Sequence, residues 1–404
     1  MIIQYDSTRS WFRAFLLFIL AVIGTVGMWS VVVFIPEIEN EFKVDRGTSS
    51  LLYAATMIGF GFGTVIIGKI FDKHGIKKPI VIASISLIIS YYLYSISIYF
   101  WNLLFLQAFM GFAAAAFFGP AMADITNFFN NRRGLALSIV ASANYVAGAS
   151  WPLVISFALN FVDWRTTHFW ISIFCLVSML PILGFLKNYK NIQNEEANIM
   201  SSKDEPSIKL SNNQLQIILM FAGVCCCVAM SMPQVHMVAL CVDNGFGLQV
   251  GTEILAVMLY SGMISRIVFG FLSDKIGPLP TILLGSFLQM VSLVFFLPFN
   301  SQLSLYMVSL MFGLSQGGIV PAYAIIIRKY LPLQQAGVRV GLVLGATIVG
   351  MALGGWISGE IFDLTQSYYL AFVNGILWNL LNILAIIYVI FKSDLFNKNK
   401  LILN

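Results

Sequence analysis

Charged residues are scarce in this chain of 404 residues, where Asp, Glu, Lys and Arg together make up only 10% of the sequence. Hydrophobic residues make up 59%. A water-soluble domain could not bury that much apolar surface, so the composition predicts a polytopic membrane protein. The apolar stretches are about 20 residues long, enough for a helix to cross a hydrocarbon core of roughly 30 Å. They lack the two-residue alternation of membrane β-strands, which excludes a transmembrane barrel.

Reactive side-chain sets are also missing from the sequence. It contains no nucleophile with a neighbouring base, no metal-ligating cluster and no phosphate-binding loop, so we expect neither an enzyme nor a cofactor. The run Cys225-Cys226-Cys227 points three ways around one helix and cannot converge on a metal. Cys175 and Cys241 fall in or at the ends of apolar stretches, and all five thiols are expected to pack as small apolar groups.

Twelve apolar stretches predict an all-α membrane protein with twelve transmembrane helices in two six-helix halves. We expect the N-terminal half at residues 1–187, a cytoplasmic linker at 188–213, and the C-terminal half with a short cytoplasmic tail at 214–404. The spans are expected near residues 12–35, 48–71, 80–99, 102–125, 135–160, 168–187, 214–241, 251–272, 280–298, 302–328, 339–361 and 368–391.

Lysine and arginine are distributed unevenly among the loops. If the N-terminus is cytoplasmic, nineteen of the 23 basic residues lie in cytoplasmic segments, and only Lys43, Arg46 and Arg165 lie outside. Since positively charged loops are retained on the cytoplasmic side, we expect a multi-pass protein of the cell (inner) membrane with both termini in the cytoplasm. The net charge of +5 reflects this bias and does not indicate nucleic-acid binding.

A charged turn recurs at the same place in each half. The segment GKIFDKHGIKK follows the second span and GFLSDKIG follows the eighth, and the sequence Pro-Ala-x-Ala also repeats, at Pro120 and Pro321. Such internal similarity indicates two copies of one unit. We interpret the turns as a conformational latch between neighbouring helices, although an ordinary positively charged stop signal is the alternative. The latch residues are Gly68, Asp72, Gly75, Lys77, Gly270, Asp274 and Gly277.

Within the latch turn, Gly75 is expected to adopt a positive φ, and Asp72 to cap the next helix or pair with a base.

Arg266 is the one basic residue expected inside an apolar span. An arginine near the middle of a membrane helix costs roughly 2.5 to 3.5 kcal/mol to insert, so such residues usually face a water-filled cavity on a substrate or ion path. No acid lies between Glu253 and Asp274 to neutralise it within its own helix. A carboxylate of a ligand could supply the counter-charge. A structural arginine that binds backbone carbonyls or snorkels to lipid phosphate is the alternative.

The two charged turns resemble the signature loop of the major facilitator superfamily. A finer similarity, to the monocarboxylate transporter and oxalate:formate antiporter branch, is carried by FIPEIENEF, FFNNRRGLALSI, DWRTTHF, VHMVALCVDNGF and SRIVFGFLSDKIG. The resemblance implies a carrier without covalent chemistry, in which an arginine of the eighth helix binds the substrate carboxylate. Arg266 occupies the matching position.

Three positions depart from that branch. Gly262 stands where the animal carriers have an aspartate, and Trp29 where they have a lysine, so their usual proton-relay groups are missing. Thr347 aligns with the second cation of the oxalate exchanger, and its neutrality argues against a dianionic substrate. The signatures of drug exporters are weak in the fifth and fourth helices, where ASANYVAGASWPL and Gln107 stand.

Uncharged polar and aromatic residues complete the expected substrate site. We predict that Asn144, Tyr145 and Tyr323 contact the substrate and that Trp29 supplies an apolar wall, while bonding between helices is the alternative for the polar groups.

Two titratable residues are candidates for proton coupling. Asp124 carries the proton or forms a salt bridge at the cytoplasmic end of its span. His236 carries the proton or is a hydrogen-bonded helix histidine. Glu360 and Asp363 are expected to be solvated at the outer end of the eleventh span.

These features predict a secondary active transporter that moves a small organic anion, a monocarboxylate, by alternating access, with proton coupling or anion exchange. The expected partners are this substrate and the lipid bilayer, without nucleic acid or an obligatory protein partner. Export of amphipathic drugs or metabolites is the main alternative. A membrane-embedded enzyme would need a reactive cluster near the interface, and a non-transporting sensor would need a signalling domain.

Overall fold

The computed structural model describes residues 5–186, 208–298, 301–332 and 335–393. Within these ranges the regular elements are helices, and a single isolated β-bridge joins Ile208 to Ser393. Most of the predicted linker at 188–213 lies outside the described residues, but its end does not. A capping box at Ser211 and Gln214 starts a helix at Asn212, within the last residues of that predicted linker.

Eight α-helices and one 3₁₀ turn form the six described spans of the N-terminal half: α1 (Thr8–Gly24), α2 (Val26–Phe42), α3 (Arg46–His74), α4 (Lys77–Ser95), α5 (Phe100–Ala114), the turn Ala115–Phe117, α6 (Gly119–Ile125), α7 (Arg133–Ala158) and α8 (Trp164–Phe185). Seven form those of the C-terminal half: α9 (Asn212–Asp243), α10 (Leu248–Ile276), α11 (Pro278–Phe295), α12 (Gln302–Gln316), α13 (Ile319–Tyr330), α14 (Ala336–Thr365) and α15 (Tyr369–Phe391).

The twelve predicted spans are confirmed, since twelve helical segments of the described chain are long and apolar enough to cross a membrane. Several run beyond their predicted ends because polar N-caps hold the first turn outside the apolar stretch. Asp45 and Asp163 accept backbone N–H bonds from Thr48 (2.8 Å) and Thr166 (2.6 Å). The bonds with Thr48 lower the pKa of Asp45, and the backbone bond from Thr166 lowers that of Asp163, so both carboxylates stay charged at neutral pH.

Three spans are broken into two helices each. The first breaks at Thr25, between α1 and α2. The fourth and tenth break at Phe118 and at Gly317-Gly318, directly before the repeated Pro-Ala segments. A break at the same place in both halves agrees with the internal repeat seen in the sequence.

The two halves meet along a seam that is formed by α3 with α14, α7 with α10, and α2 with α9. We call the side that holds Thr8 and Phe391 the terminal side, and the opposite side the distal side. On the distal side, a Cβ built on Gly359 of α14 would lie 2.8 Å from the carbonyl oxygen of Arg46 in α3. The halves are therefore in tight contact there.

The terminal side has a different arrangement. The helices α1, α6 and α13 form the terminal parts of their spans, and the main contacts of each lie within its own half. A Cβ built on Gly68 or Gly270 would meet no heavy atom within 4 Å. Within the described residues, the two halves are thus closed against each other on the distal side and apart on the terminal side.

Candidate functional site

Arg266 lies on the seam, on the helix α10, about 15 Å of helix from its terminal end. Its Nη1 donates to the carbonyl oxygen of Ala141 in α7 at 2.9 Å, and its Nε to that of Gly317 at 3.3 Å. The guanidinium carbon lies 4.4 Å from the centre of the Tyr145 ring. Arg266 therefore joins α7 of one half to α10 and the broken tenth span of the other.

The tenth span supplies an acceptor to Arg266 because it is broken there. Gly317 closes α12 without continuing into α13, so its carbonyl oxygen is free for a side-chain donor. A Cβ on Gly317 would lie 2.6 Å from the backbone nitrogen of Arg266, so only glycine allows this approach.

Gly262 sits one turn before Arg266 on the same face of α10 and provides the space for Tyr145. A Cβ built on Gly262 would lie 3.0 Å from Cε1 and 3.3 Å from Cδ1 of the Tyr145 ring. The ring therefore packs on the bare backbone of α10 and beneath the guanidinium of Arg266. The space above Gly262 is thus filled by an aromatic face.

Trp29 and Asn144 extend this group toward the first span. The indole Nε1 of Trp29 donates to Oδ1 of Asn144 at 3.1 Å. The indole ring also packs on Gly148, where a Cβ would lie 2.5 Å from Cε2, and Leu259 of the other half closes over the same glycine. The structure thus brings four of the predicted substrate contacts together: Arg266, Tyr145, Asn144 and Trp29.

Tyr323 does not join this group. It is fully buried inside the C-terminal half, where its hydroxyl donates to Oδ1 of Asn382 at 2.8 Å. Asn382 in turn donates to the hydroxyl of Ser286 at 2.7 Å. Tyr323 therefore follows the alternative we gave for such polar groups, a bond between helices of one half.

Asp124 forms a buried ion pair with Arg13, near the terminal end of the N-terminal half. Nε of Arg13 lies 2.6 Å from Oδ2, and Nη2 lies 2.9 Å from Oδ1. The guanidinium carbon also lies 4.5 Å from the centre of the Phe128 ring. Both side chains are under 10% exposed. The predicted salt bridge is present, but its partner comes from the first span and could not be identified from the neighbouring sequence.

His236 is fully buried near the distal side. Its Nε2 lies 2.7 Å from the carbonyl oxygen of Gly355, and its Nδ1 lies 3.2 Å from the hydroxyl of Tyr368. Both ring nitrogens are thus engaged, in agreement with the hydrogen-bonded alternative. Neither Asp124 nor His236 borders the group around Arg266.

The latch turns have the predicted glycine geometry. Gly75 and Gly277 adopt φ of 73° and 88°, and their N–H groups close the preceding helices on Phe71 and Ser273. The predicted capping role of Asp72 is wrong. The following helix, α4, has Ile76 at its N-cap and no side-chain cap, because Asp72 lies in the last turn of α3 and is exposed to solvent.

The matching aspartate of the second latch turn is also exposed. Asp274 lies in the last turn of α10, and neither Asp72 nor Asp274 forms an ion pair within the described residues. The halves are apart at this side, so each turn faces solvent. The latch residues Gly68, Lys77 and Gly270 lie in the same two turns.

A charged cluster on the distal side was missed by sequence reasoning. Oδ1 and Oδ2 of Asp363 accept the backbone N–H groups of Arg46 (3.0 Å) and Gly47 (2.5 Å), and the Arg46 guanidinium pairs with Asp243 of α9 at 2.9 Å. The expectation that Asp363 is solvated is therefore wrong. Arg46 is roughly 200 or more positions away from Asp243 and Asp363 in the chain, and in the sequence all three look like charged residues of loops. Nothing in the sequence therefore indicates that they are in contact.

The groups around Arg266 are of the kinds that can bind an anion. They provide one fixed positive charge, an amide and two aromatic faces. Within the part of the chain that the structure describes, no group of three or more His, Cys, Asp or Glu side chains could hold a metal. Two cavities of about 380 and 220 Å³ lie on the distal side, and neither borders Arg266.

Known proteins share this architecture. The structure superposes on a crystal structure of the nucleoside transporter NupG with a TM-score of 0.74, covering 93% of this chain and 99% of that one at 11% identity. The chain is 22% identical to the MFS-type transporter pynF of Aspergillus niger, over 77% of this chain and 71% of the relative.

Two further relatives have similar coverage. The agnestins efflux protein AgnL12 of Paecilomyces divaricatus is 22% identical over 80% of this chain and 74% of its own length. The MFS-type transporter hasB of Aspergillus fumigatus is 25% identical over 79% and 75%. The sequence profile of the Major Facilitator Superfamily matches residues 17–344, with a second match at 219–401. The chain is therefore a membrane transporter that belongs to the Major Facilitator Superfamily.

Proposed function

We propose that this transporter carries an organic acid with one carboxylate and that Arg266 is the residue that binds it. The observation that supports this is a charge without a counter-charge. Within the described residues Arg266 forms no ion pair, and its bonds go to two backbone carbonyls through Nε and Nη1. The Tyr145 hydroxyl gives the guanidinium a further hydrogen-bond partner, but that partner is neutral. A carboxylate would neutralise the charge.

The surroundings of Arg266 favour a monoanion with an apolar body. Thr347, at the position of a second cation in the oxalate exchanger, is buried, and its hydroxyl donates to the carbonyl oxygen of Leu344 at 2.7 Å. Trp29 and Tyr145 offer aromatic surface beside the one positive charge. A second carboxylate would remain unpaired here, which costs several kcal/mol in a medium of low polarity.

Alternating access follows from the same seam. Because the halves are closed on the distal side and open on the terminal side, Arg266 is approached from the terminal side in this state. We propose that this side is cytoplasmic, since nineteen of the 23 lysines and arginines are assigned to it. Rocking of the halves about the seam would then present the bound anion to the other face.

Export of a larger metabolite is a second candidate function. The relative AgnL12 is named an efflux protein for agnestins, and that name favours outward transport for this chain too. Such a substrate would still use Arg266 if it carries a carboxylate. The two candidates differ in the size of the substrate that Trp29 and Tyr145 must accommodate.

Coupling to protons would use Asp124 or His236, and anion exchange would use neither. Asp124 is held by Arg13 through two hydrogen bonds, and His236 has both nitrogens engaged. Protonation of either residue would therefore break a contact that the structure makes. We propose exchange of one carboxylate for another as the simpler scheme. Uptake that follows a pH step in the absence of an internal carboxylate would contradict exchange.

The binding proposal is tested by thermal unfolding of the purified protein with a panel of monocarboxylates, dicarboxylates, and neutral or cationic hydrophobic compounds. Ligands that bind only the folded state raise the unfolding temperature. We expect monocarboxylates to stabilise the native protein and to lose this effect in Arg266→Gln. Arg266→Lys should recover only part of it, because lysine cannot form two parallel bonds to a carboxylate.

Arg165→Gln is the matched control, because it removes an arginine that pairs with Glu41 on the distal side, away from Arg266. It should leave stabilisation by monocarboxylates unchanged. If carboxylates have no effect while neutral or cationic compounds stabilise both the native protein and Arg266→Gln, the organic-acid proposal is wrong and the exporter of amphipathic compounds replaces it. Loading inside-out and right-side-out vesicles with the stabilising compound then determines the direction of transport.

A further inference from the structure

Arg46 is an almost fully buried cation at the distal end of the seam, with 6% of its surface exposed. Its Nε donates to Oε1 of Glu39, in its own half, at 2.5 Å. Its Nη1 and Nη2 donate to the two oxygens of Asp243 in the other half, at 2.9 and 3.2 Å. The guanidinium thus forms a two-pronged pair with a carboxylate of α9, which is the geometry that arginine forms best.

Aromatic rings of the C-terminal half surround the same guanidinium. Its carbon lies 4.6 Å from the centre of the Phe362 ring and 5.9 Å from that of Tyr368. The Tyr368 hydroxyl accepts a further hydrogen bond from Nη1 of Arg46. The two rings lie 4.5 Å apart. A carboxylate combined with two aromatic faces is a recognised way to hold an organic cation.

Buried contacts behind the rings fix this arrangement. His236 is fully buried, with Nε2 at 2.7 Å from the Gly355 carbonyl oxygen and Nδ1 at 3.2 Å from the Tyr368 hydroxyl. Since Nε2 must carry the proton to donate to a carbonyl, Nδ1 accepts from the hydroxyl. The lone pairs of the Tyr368 oxygen are then left for Arg46. His236 therefore positions Tyr368 as an acceptor.

Space for a small ligand exists beside these groups. A cavity of about 220 Å³ borders Asp243, Phe362 and Tyr368, and it is otherwise lined by residues of the same half, among them Asn244, Phe296 and Phe372. The ring of Phe296 stacks on that of Phe372 at 4.9 Å. All the groups that hold the guanidinium, apart from Glu39, thus belong to one half and surround one cavity.

We propose that the C-terminal half contains a distal binding site for guanidinium-type organic cations, formed by Asp243, Phe362 and Tyr368, and that Arg46 of the N-terminal half occupies it when the distal side is closed. When the halves part, Arg46 leaves the site together with Glu39, which Ser49 also holds by a hydrogen bond at 2.8 Å. The Arg46 charge stays paired, so opening does not strand a buried ion. The vacated site then faces the distal solution. This inference does not depend on which substrate Arg266 binds.

Chemical rescue tests the site directly. Ser50 is fully buried at the distal seam, and its Oγ would lie 2.7 Å from a Cβ on Gly359 of the other half. The rate at which maleimide labels Ser50→Cys therefore reports distal opening, against a background of five buried native cysteines. We expect Arg46→Ala to raise this rate by about tenfold or more, and methylguanidinium at millimolar concentration to lower it again by filling the empty site.

Asp243→Asn tests the same site independently, because it weakens the site while leaving Arg46 paired with Glu39. It should raise the labelling rate by itself, and Arg46→Ala combined with Asp243→Asn should show no rescue by methylguanidinium. Arg165→Ala is the matched control, since Arg165 pairs with Glu41 of its own half, and it should change neither the rate nor the response to methylguanidinium. Sodium chloride at the same concentration controls for ionic strength.

The proposal is overturned if labelling in both Arg46→Ala and Asp243→Asn is as slow as in the parent protein. It is also overturned if methylguanidinium slows labelling equally in Arg46→Ala with and without Asp243→Asn, because the effect would then come from elsewhere. Loss of carboxylate binding in Arg266→Gln would leave this result untouched, so the two proposals fail independently.

Discussion

At the scale of single residues, the absence of a side chain at Gly262 lets the Tyr145 ring lie beneath the guanidinium of Arg266. The position of Arg266 within an apolar span was visible in the sequence, because a single cation in such a span stands out. Its partners were not, since the carbonyl oxygens of Ala141 and Gly317 have no sequence signal. Tyr323 was misplaced for a related reason. Which face of the tenth span lies toward the seam depends on how the C-terminal half packs. The sequence around Tyr323 does not indicate that packing.

Gly262→Ala should weaken carboxylate binding without unfolding the protein. The added methyl group would lie 3.0 Å from Cε1 of Tyr145, so the ring must move from beneath Arg266. We expect the Kd for a monocarboxylate to rise roughly tenfold, which corresponds to about 1.4 kcal/mol, as measured by titration calorimetry. Gly184→Ala adds a methyl where no atom lies within 4 Å and should leave the Kd unchanged. An unchanged Kd in Gly262→Ala would show that the Tyr145 ring does not shape the site.

The ion pair of Arg13 with Asp124 should contribute to stability more than to coupling. Removing one partner leaves a buried charge and typically costs ~3–5 kcal/mol, whereas replacing both partners by apolar groups is often nearly neutral. We therefore expect Asp124→Ala to lower the unfolding temperature strongly, and Arg13→Met with Asp124→Leu to recover most of the loss. If this double variant is stable but no longer responds to a pH step in transport assays, Asp124 carries the coupling proton and the structural interpretation fails.

At the scale of elements, the sequence predicted the twelve spans and the two glycine turns well, because long apolar runs and glycines with positive φ follow from local chemistry. It did not predict where spans break. The breaks at Phe118 and Gly317-Gly318 precede the repeated Pro-Ala segments. Proline and alanine also occur within unbroken helices, so these residue types do not by themselves predict a break. The role of Asp72 as a cap was wrong, because the turn at Gly75 ends α3 after Asp72 rather than before it.

The latch turns should act in the state that this structure does not show. Asp72 and Asp274 are exposed here while the terminal side is open, so any contact that they make belongs to the terminal-closed state. Asp72→Asn and Asp274→Asn should therefore shift the protein toward the distal-closed state. Spin labels at Asn160 and Leu364, exposed at the distal ends of α7 and α14 in opposite halves, should then show a larger population of the short distance.

Lys392→Gln changes an exposed charge on the same side outside the latch turns and serves as the control for the spin-label experiment. Its distance distribution should match that of the parent protein. If the two aspartate variants also match the parent, the turns are ordinary stop signals rather than a latch.

At the scale of the whole molecule, two six-helix halves were inferred from repeated motifs that lie 201 or 202 residues apart. The contact between the halves could not be inferred, since it depends on which state the protein adopts. Small residues along α14 allow close helix approach, but the sequence does not distinguish those that face the other half from those that face their own. In the structure, Gly359 faces the other half and Gly354 faces its own half.

Gly359→Ala should change the balance of states, whereas Gly354→Ala should change stability. A Cβ on Gly359 would lie 2.7 Å from Oγ of Ser50 and 2.8 Å from the carbonyl oxygen of Arg46, both across the seam. A Cβ on Gly354 would lie 2.7 Å from Cα of Val228 in the same half. The first clash is relieved when the halves part, but the second is present in every state of the folded protein.

For Gly359→Ala we therefore expect a longer distance between spin labels at Asn160 and Leu364, with little change in unfolding temperature, because the distal-closed state alone is penalised. For Gly354→Ala we expect the parent distance and a lower unfolding temperature, since overpacking within a half typically costs ~1–3 kcal/mol. If Gly359→Ala instead keeps the parent distance and only lowers the unfolding temperature, the distal seam does not part. The two halves would then move about some other contact, and both the rocking mechanism and the exposure of the Arg46 site would have to be abandoned.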